Sequence, residues 1–509
     1  GAPGDGGGGS GIAVSGTAGE DIVFRDCEMF QCSSGFRFSG KNVFIDRVFC
    51  HDNYAHNTSP HPFLVSVSRA YLMNSIFDAS GWHAHAGTMG IMLGNQYGLI
   101  IRNCHFLNQP DSGSHDEGGI DFEAGGEGCL IDRCTFRNNA GAAIEMLGLR
   151  SPQTPNVEIA RSRFDRNNVA RKLGPSEIFI WGGSKDPAIC CSSGLIRDNG
   201  YVLEPGVVFF TNQAPTLTRW TLANNTPYAT SEELDRAMPY NNPPSVDAGR
   251  EIWSDRATVR LAGAVADDGR SGAGRLAVRW EILDGPGAVA FRDPSDPRTK
   301  AGFAAPGDYN LRLKADDGEL WRCGHTVAHI LPPGTRVARA WTFSKPLDKE
   351  GWTDWNLGTA DEAFLLPENR GCIARPVRIA AGGEYIVALK DTPDAHLLSP
   401  DALGTDLDGN GLVAIRFQNH TPAARMRLRF TTEDMPTWEA NLGRTFDVTP
   451  NDTESRVYVL DLRGTPGWKG RLKQLRLDFA VGAPVTGTCR IDYIWIGAKT
   501  KSVRRFLWW

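Results

Sequence analysis

Several features are scarce in this 509-residue chain, and each absence removes a class of protein. No uninterrupted apolar run of about 18 residues occurs, so no segment is expected to cross a membrane as a helix. Positive charge is not in excess. Lys+Arg is 54 against Asp+Glu 59, a formal net charge of −5. A sequence-independent nucleic-acid binder needs a basic stripe, and this balance argues against one. The N-terminus has no charged region followed by an apolar one, so no signal peptide is visible; either one was removed or the chain is cytoplasmic. The opening GAPGDGGGGSG reads as a flexible lead-in. The apolar tail from Phe506 to Trp509 carries no targeting signature. Paired CxxC zinc spacing is missing, and 11 cysteines is an odd number, so at least one is unpaired. Helix-periodic stretches are few, while Gly is 57 and Pro 30, which points to a turn-rich, all-β protein. With 41% apolar and 22% charged residues, the chain can bury ordinary cores. Its length predicts about three domains.

A repeat dominates the first 230 or so residues. Segments 22–30, 43–50, 99–106, 129–136 and 157–164 each read as a short apolar strand, a polar pair, a small residue and a bulky apolar one. The small position is held by Cys27, Val48, Ser75, Cys104, Cys134 and Ser162, in steps of 21, 27, 29, 30 and 28 residues. Another short strand precedes most of these segments, as in GIML (90–93), GIDF (119–122), AIEM (143–146) and EIFI (177–180). Asparagines follow several, including Asn108, Asn138, Asn139, Asn167, Asn168, Asn199, Asn224 and Asn225. Two or three short strands per unit, with no helix, predict a parallel β-solenoid. One coil cannot bury its own apolar face, so stacked coils build ladders of like residues. Cys27, Cys104 and Cys134 then form an interior stack and not disulfides. The asparagines form a turn ladder, because Asn tolerates the left-handed region. The pattern resembles the right-handed parallel β-helix family that includes pectate lyases and polygalacturonases. The resemblance covers about residues 11–230, or eight coils, and implies the fold more than any activity. No NTD, paired Asp-Asp or GHG motif occurs in the order polygalacturonases use, so no residue is carried over from them.

Past the linker MPYNNPP (238–244), alternating strands, Trp280 in mid-strand and repeated DDG turns predict a small β-sandwich. Its spacing resembles PKD-type, immunoglobulin-like modules, which implies a spacer. From about Ala340 a new strand pattern begins, ending in CRIDYIWIG (489–497). It resembles jelly-roll modules that accompany glycoside hydrolases and often bind sugar. Trp352, Trp355, Trp438 and Trp468 are candidates for stacking on pyranose rings, although about half should be core; Trp495 is expected to be buried. Asp406, Asp408, Asn410 and Gly411 match the start of a calcium loop, but Phe417 stands where the closing Glu belongs, and a plain turn is the simpler reading. The fold class is therefore all-β: a parallel β-helix (1–235), an Ig-like sandwich (236–335) and a jelly-roll sandwich (336–509).

Aligning the first strand of successive coils puts Ile91, Ile120, Ile144 and Ile178 in one inward column, with Leu93, Phe122, Met146 and Ile180 in another. Alternation sends Met92, Asp121, Glu145 and Phe179 outward, followed by Gly94, Glu123, Leu147 and Trp181. Asp121 and Glu145 thus fall on adjacent coils, facing water, about 5 Å apart at the backbone. Stacked carboxylates repel, so one should hold its proton beside a neighbour that does not. Asp121, Glu123 and Glu145 are the catalytic candidates, since glycoside hydrolysis needs paired carboxyls. Trp181, His83, His85, His115, Glu117 and Lys172 are candidate substrate contacts, with Asp116 and Glu127 nearby. His51, His56, His61, His83 and His85 are placed in loops bordering the same face; His-x-His alone is a weak zinc signal. Three functions stay open. One is a secreted or cell-surface glycoside hydrolase acting on polysaccharide. Another is a lyase on uronate glycans, with Arg171 or Lys172 as cation and Ca²⁺ held by the acids. The third is a glycan-binding or surface-structure protein without catalysis. Sequence does not indicate the sugar, its linkage or the oligomeric state.

Overall fold

The computed structural model describes residues 10–14, 19–30, 34–53, 63–79, 88–111, 115–147, 156–181, 192–216, 218–270, 274, 276–344, 349–355, 372–375, 384–390, 394–439, 441–452, 454–482 and 484–499. The chain is mostly β. It divides into two compact units, Gly1–Ser245 with Ala266–Ala277 and Ala315–Arg322, and Val246–Val265 with Val278–Lys314 and Cys323–Trp509. Among the described residues no helix is long and apolar enough to cross a membrane.

In the first unit, parallel strands stack on three faces of a β-helix. The first face runs from Ser10–Val14 through Ile91–Gly94, Ile120–Phe122, Ile144–Met146 and Ser176–Ile180 to Val208–Asn212. The second runs from Glu20–Arg25 through Tyr97–Arg102 and Glu127–Asp132 to Arg219–Ala223. The third is an eight-stranded parallel sheet from Glu28–Phe30 to Thr226–Pro227. Two long strands, Ser34–Asp46 and Phe63–Met73, turn the corner between the first and second faces and pair with each other on both sides of it, with a register shift between Phe38 and Gly40. This is the eight-coil stack that the repeat predicts.

Coil spacing makes like residues touch. Phe77, Phe106, Phe136 and Phe164 stack nearly parallel, with centroids 5.1, 5.0 and 5.1 Å apart, close to the strand spacing itself. The small-residue column also has a clear cause. Ser75 Oγ and Ser162 Oγ donate to the carbonyls two residues back, Met73 O at 2.6 Å and Ala160 O at 3.0 Å. The thiols of Cys27, Cys104 and Cys134 make the same contact with Arg25, Arg102 and Asp132 at 3.1, 3.4 and 3.5 Å. Serine and cysteine therefore interchange because each is small and donates one proton to the same carbonyl. All described cysteines are free.

The residue before each of these positions turns the corner in the left-handed region. Asp26, Arg47, Asn74, Asn103, Arg133 and Arg161 have φ between +47° and +56°. Arginine is unexpected there, because the conformation costs about 1–2 kcal/mol for a residue with a Cβ. Hydrogen bonding between coils overrides that preference: the Asn74, Asn103 and Arg133 amides donate to Arg102 O, Asp132 O and Ala160 O at 3.1, 3.1 and 3.2 Å. The expected asparagines form two ladders. Inside, Asn139 Nδ2 donates to Asn167 Oδ1 at 2.7 Å and Asn199 Nδ2 to Asn225 Oδ1 at 2.8 Å. Asn108, Asn138 and Asn224 are exposed in the left-handed region, and Asn138 Nδ2 donates to Asn108 Oδ1 at 2.8 Å. The last coil is followed by a helix, Ser231–Ala237, absent from the sequence reading. Its start is a capping box: Thr230 accepts from the Glu233 amide while Glu233 accepts from the Ala229 amide.

The second unit contains β-sandwiches. Trp280, Tyr309, Leu311 and Phe303 lie in one core, and the Tyr309 hydroxyl donates to Ala305 O at 2.8 Å, a tyrosine-corner contact. A second, larger core is enclosed by two sheets. One contains Glu384–Lys390, Thr486–Lys499, Leu412–His420 and Arg456–Asp461; the other orders Thr353–Trp355, His396–Leu398, Arg471–Asp478, Arg425–Thr432 and Gly443–Asp447. The two cores are joined by a buried polar contact. His329 Nδ1 lies 2.6 Å from Asp308 Oδ1, and Arg416 NH1 lies 2.6 Å from Asp308 Oδ2.

Candidate active site on the first face

Asp121 pairs in register with Glu145 on one side and Met92 on the other, and Glu145 pairs with Phe179. Ile120, Phe122, Ile144 and Met146 belong to the solenoid core, so alternation turns Asp121 and Glu145 outward. Strand adjacency and side-chain direction match the sequence expectation. Exposure to water does not: Asp121 is only 4% exposed and Glu145 1%. Outside the coil wall Ala142, Leu147 and Phe179 form a small apolar cluster, with Leu173 and Trp181 packed on it. Alternation tells which side of a strand a residue leaves; it does not tell what the connecting segments lay over it.

Three of those acids share an electrostatic problem. Asp121 is pushed well above the usual carboxylate range by burial, then by the charges of Glu123 and Asp116 and by a hydrogen bond with the Glu123 carboxyl. Two carboxyls that share a hydrogen bond need a proton between them. Glu145 is raised by burial, then by Asp116 and Asp121, with the Ala142 amide working in the opposite direction. Asp121 Oδ1 and Glu145 Oε2 are buried and accept no hydrogen bond from the described residues. Asp116 is also raised, by burial first, while His115 lowers and Glu117 raises it. Asp116 and Glu123 are the members of this cluster that reach the surface, each partly exposed, with His115 exposed beside them.

The loop 115–119 is held tightly. Gly141 N donates to Glu117 O at 2.7 Å. A Cβ on Gly141 would lie 1.7 Å from Asp116 O, and one on Gly118 would lie 2.1 Å from Ala142 O. Only glycine lets the loop carrying the acids lie this close to the next coil. Glu117 is fully buried and has φ +59°, a strained position for a residue with a side chain. Its Oε1 accepts from Lys172 Nζ at 2.7 Å, and Lys172 also reaches Asp111 Oδ1 at 2.5 Å. Burial works against the lysine charge, but Asp111 and Glu117 hold it above the ordinary lysine range. Lys172 is therefore committed to two carboxylates.

Other sequence candidates fall elsewhere. His51 is not in a loop: it ends the third-face strand Phe49–His51, is buried, and contacts Asp52 and Glu28 at 2.8 and 3.1 Å. His56, His61, His83 and His85 lie outside the described residues. Glu127 is exposed and begins a second-face strand, away from the acid cluster. Arg171 is exposed and bonds Pro205 O. In the second unit Trp352 and Trp468 are buried, not surface platforms, and Trp468 Nε1 donates to Asn410 O at 3.1 Å. Both are consumed by the large sandwich core. Trp495 is buried as expected, and Trp438 remains partly exposed. The segment from Asp406 to Gly411 is a turn in which Asn410 Oδ1 accepts from Arg336 at 3.0 Å. That guanidinium takes the Asn410 oxygen that a calcium ion would need as a ligand.

Two residues here escaped the sequence reading. Asp111 was not connected to Lys172, since the two are far apart in sequence. Glu177 is fully buried, accepts from Asn167 N and Nδ2 at 3.2 and 2.8 Å, and is raised by burial to about 8. Its position one residue before an inward isoleucine was the available signal.

Some solved structures resemble parts of the chain. The apo carbohydrate-binding module BiXyn10A CBM1 is 11% identical, over 32% of this chain and 99% of that one, at a TM-score of 0.20. A human PKD domain solved in solution is 14% identical, over 18% of this chain and 85% of that one, at 0.16. The enzymatically active domain of bacteriophage CBA120 tailspike protein 4 is 10% identical, over 92% of this chain and 64% of that one, at 0.15. Residues 5–189 match the family described as right handed beta helix region, in agreement with the three-faced parallel stack that these residues build.

Proposed function

We propose that the first face carries the active centre of a secreted or cell-surface glycoside hydrolase acting on polysaccharide. A β-helix fold is compatible with a polysaccharide-related or surface protein; the hydrolase assignment rests on the acid cluster. Asp116 and Glu123 meet the substrate, because they are the members that reach solvent. Asp116, held protonated longer than an ordinary aspartate, is the general acid. Glu123 is the base or nucleophile, and Asp121 and Glu145 behind it set its charge through the shared proton and their own reluctance to ionise. Trp181 and His115 line the approach. Residues 236–335 are a spacer and 336–509 a carbohydrate-binding-like module in this reading.

The observation that carries the proposal is a pair of buried carboxyls on adjacent strands, Asp121 and Glu145, set behind the partly exposed Asp116 and Glu123, with Asp121 hydrogen-bonded to Glu123. It favours hydrolysis over β-elimination, which needs a cation free to neutralise a uronate, whereas Lys172 is held by Asp111 and Glu117. A panel of polysaccharides assayed together for new reducing ends and for unsaturated uronate absorbance tests it. On a substrate that yields reducing ends, Asp116→Asn and Glu123→Gln should each lower kcat/KM by about 10²–10⁴-fold while binding is kept. Unsaturated products, full activity in both variants, or no turnover of any polysaccharide would each overturn the assignment.

A further inference from the structure

The large sandwich of the second unit has an outer sheet face with an unusual charge arrangement. In strands Arg425–Thr432 and Arg471–Asp478, Met426, Leu428, Phe430, Leu475 and Leu477 point into the core. Alternation places Arg427, Arg429, Arg476 and Asp478 on the opposite face. Register sets Arg429 directly across from Arg476, and Arg427 across from Asp478. Like charges directly opposed on neighbouring strands are destabilising. A cavity of about 340 Å³ opens at this point, lined by these four residues, Asp394 and the segment 479–482.

Partner accounting shows which charge is left over. Arg476 takes both acids: its Nε donates to Asp478 Oδ1 at 2.5 Å and its terminal nitrogen bonds Asp394. Among the described residues Arg429 forms no ion pair. Its terminal nitrogen donates to the carbonyls of Trp438 and Glu439 at 3.2 and 3.3 Å, and its guanidinium lies 5.9 Å from the Trp438 ring centroid. Burial and then the Arg476 charge hold Arg429 below the ordinary arginine range. An anion beside it would relieve that repulsion. Asp394, His396 and Asp478 also approach one another closely enough to suggest a cation site. The Arg476 guanidinium already bonded to both carboxylates occupies that role and repels a second cation.

We propose that this cavity binds a carboxylate-bearing sugar, a uronate residue of a polysaccharide chain. The Arg429 guanidinium, whose Nε is buried and has no hydrogen-bond partner among the described residues, supplies the planar donor geometry that fits a carboxylate. The indole of Trp438 is outside the cavity lining but partly exposed and beside the Arg429 guanidinium, where it offers the sugar ring an apolar face next to the charge. This site is independent of the acid cluster, and it stands whether or not the first face is catalytic.

The test is calorimetric titration of the full chain with tetragalacturonate, with the carboxyl-reduced neutral tetrasaccharide and with acetate. Tetragalacturonate should bind, the neutral counterpart should bind at least about 10-fold more weakly, and acetate should not compete at equal concentration. Arg429→Gln should weaken tetragalacturonate binding about 10- to 100-fold, as loss of a charge-assisted contact predicts. Arg429→Lys should recover only part of it, because an ammonium lacks the fork. Equal binding of the neutral sugar overturns the proposal without any variant. Competition by acetate at equal strength overturns the sugar assignment and leaves a simple anion site. Unchanged binding in a folded Arg429→Gln protein overturns the location. Since the readout is binding, failure here leaves the hydrolase reading standing, and failure of turnover leaves this one standing.

Discussion

Replacing His329 with glutamine should erase a specific window of pH-dependent stability in the second unit. The ring is 2% exposed, stacks on Trp253 at 3.9 Å between centroids, and holds Asp308 at 2.6 Å and Glu251 at 3.7 Å. Asp308 also accepts from Arg416, which contacts Asp492 at 3.1 Å, and Tyr493 packs edge-on at 5.3 Å. Burial works against the charged ring, but Asp308 and Glu251 raise it from 6.5 to about 9. A folded value above the unfolded one means that the folded state binds the proton more tightly. The stabilisation is then complete below about pH 6.5 and lost as pH rises through about 9. At about 1.4 kcal/mol per tenfold in proton affinity, the rise corresponds to about 3 kcal/mol. Urea unfolding of the full chain, followed by tryptophan fluorescence at several pH values, reads it. At pH 6 the variant's transition should be about 3 kcal/mol less stable than the wild type, and the gap should close toward zero by about pH 9.5. The buried Cys489 thiol, held far above its usual range, adds its own alkaline dependence to both proteins and cancels in the difference. A gap that stays constant with pH, or a wild type as stable at pH 9.5 as at 6.5, would refute the reasoning.

Glu177 tests the same direction of pH dependence in a lower window, in the first unit. Its carboxyl is raised from 4.5 to about 8, so the folded state keeps a proton that the unfolded chain releases, and stability falls as pH rises between those values by roughly 5 kcal/mol. Glu177→Gln gives up one of the two Asn167 hydrogen bonds, about 1 kcal/mol. It should therefore melt below wild type near pH 5 and above it near pH 8.5, and curves that never cross would count against this account. Gly141→Ala forces a Cβ to within 1.7 Å of Asp116 O, and backbone cannot yield as a side chain tip can. It should cost about 3 kcal/mol in thermal unfolding and abolish turnover by moving the loop of Asp116; an unchanged melting temperature would show that the loop is looser than drawn.

The repeat, the eight coils, the inward isoleucine columns and the direction of Asp121 and Glu145 were all legible in the order of residues. The reason is local: a strand alternates every residue, and a coil of fixed length puts the same alternation above itself. The serine and cysteine equivalence was legible as a column of small residues, though its hydrogen bond to the carbonyl two residues back was not. Arginine at the left-handed corners was not foreseeable, because pairing between coils overrode local preference. The capping box before Ser231 was present in the letters and went unread.

The environment of the acids belonged to tertiary structure alone. Whether an outward carboxyl meets water depends on what packs outside its strand, and that face also carries an apolar cluster of Ala142, Leu147 and Phe179 with Leu173 and Trp181 from later in the chain. The same holds for Lys172, whose partners Asp111 and Glu117 precede it by two coils, and for Trp352 and Trp468, which composition alone offered as platforms and packing turned into core. Periodicity carries the direction of a side chain because direction is a property of one strand. Burial, partner and proton affinity are properties of everything that packs around it, and those were decided only when the chain was folded.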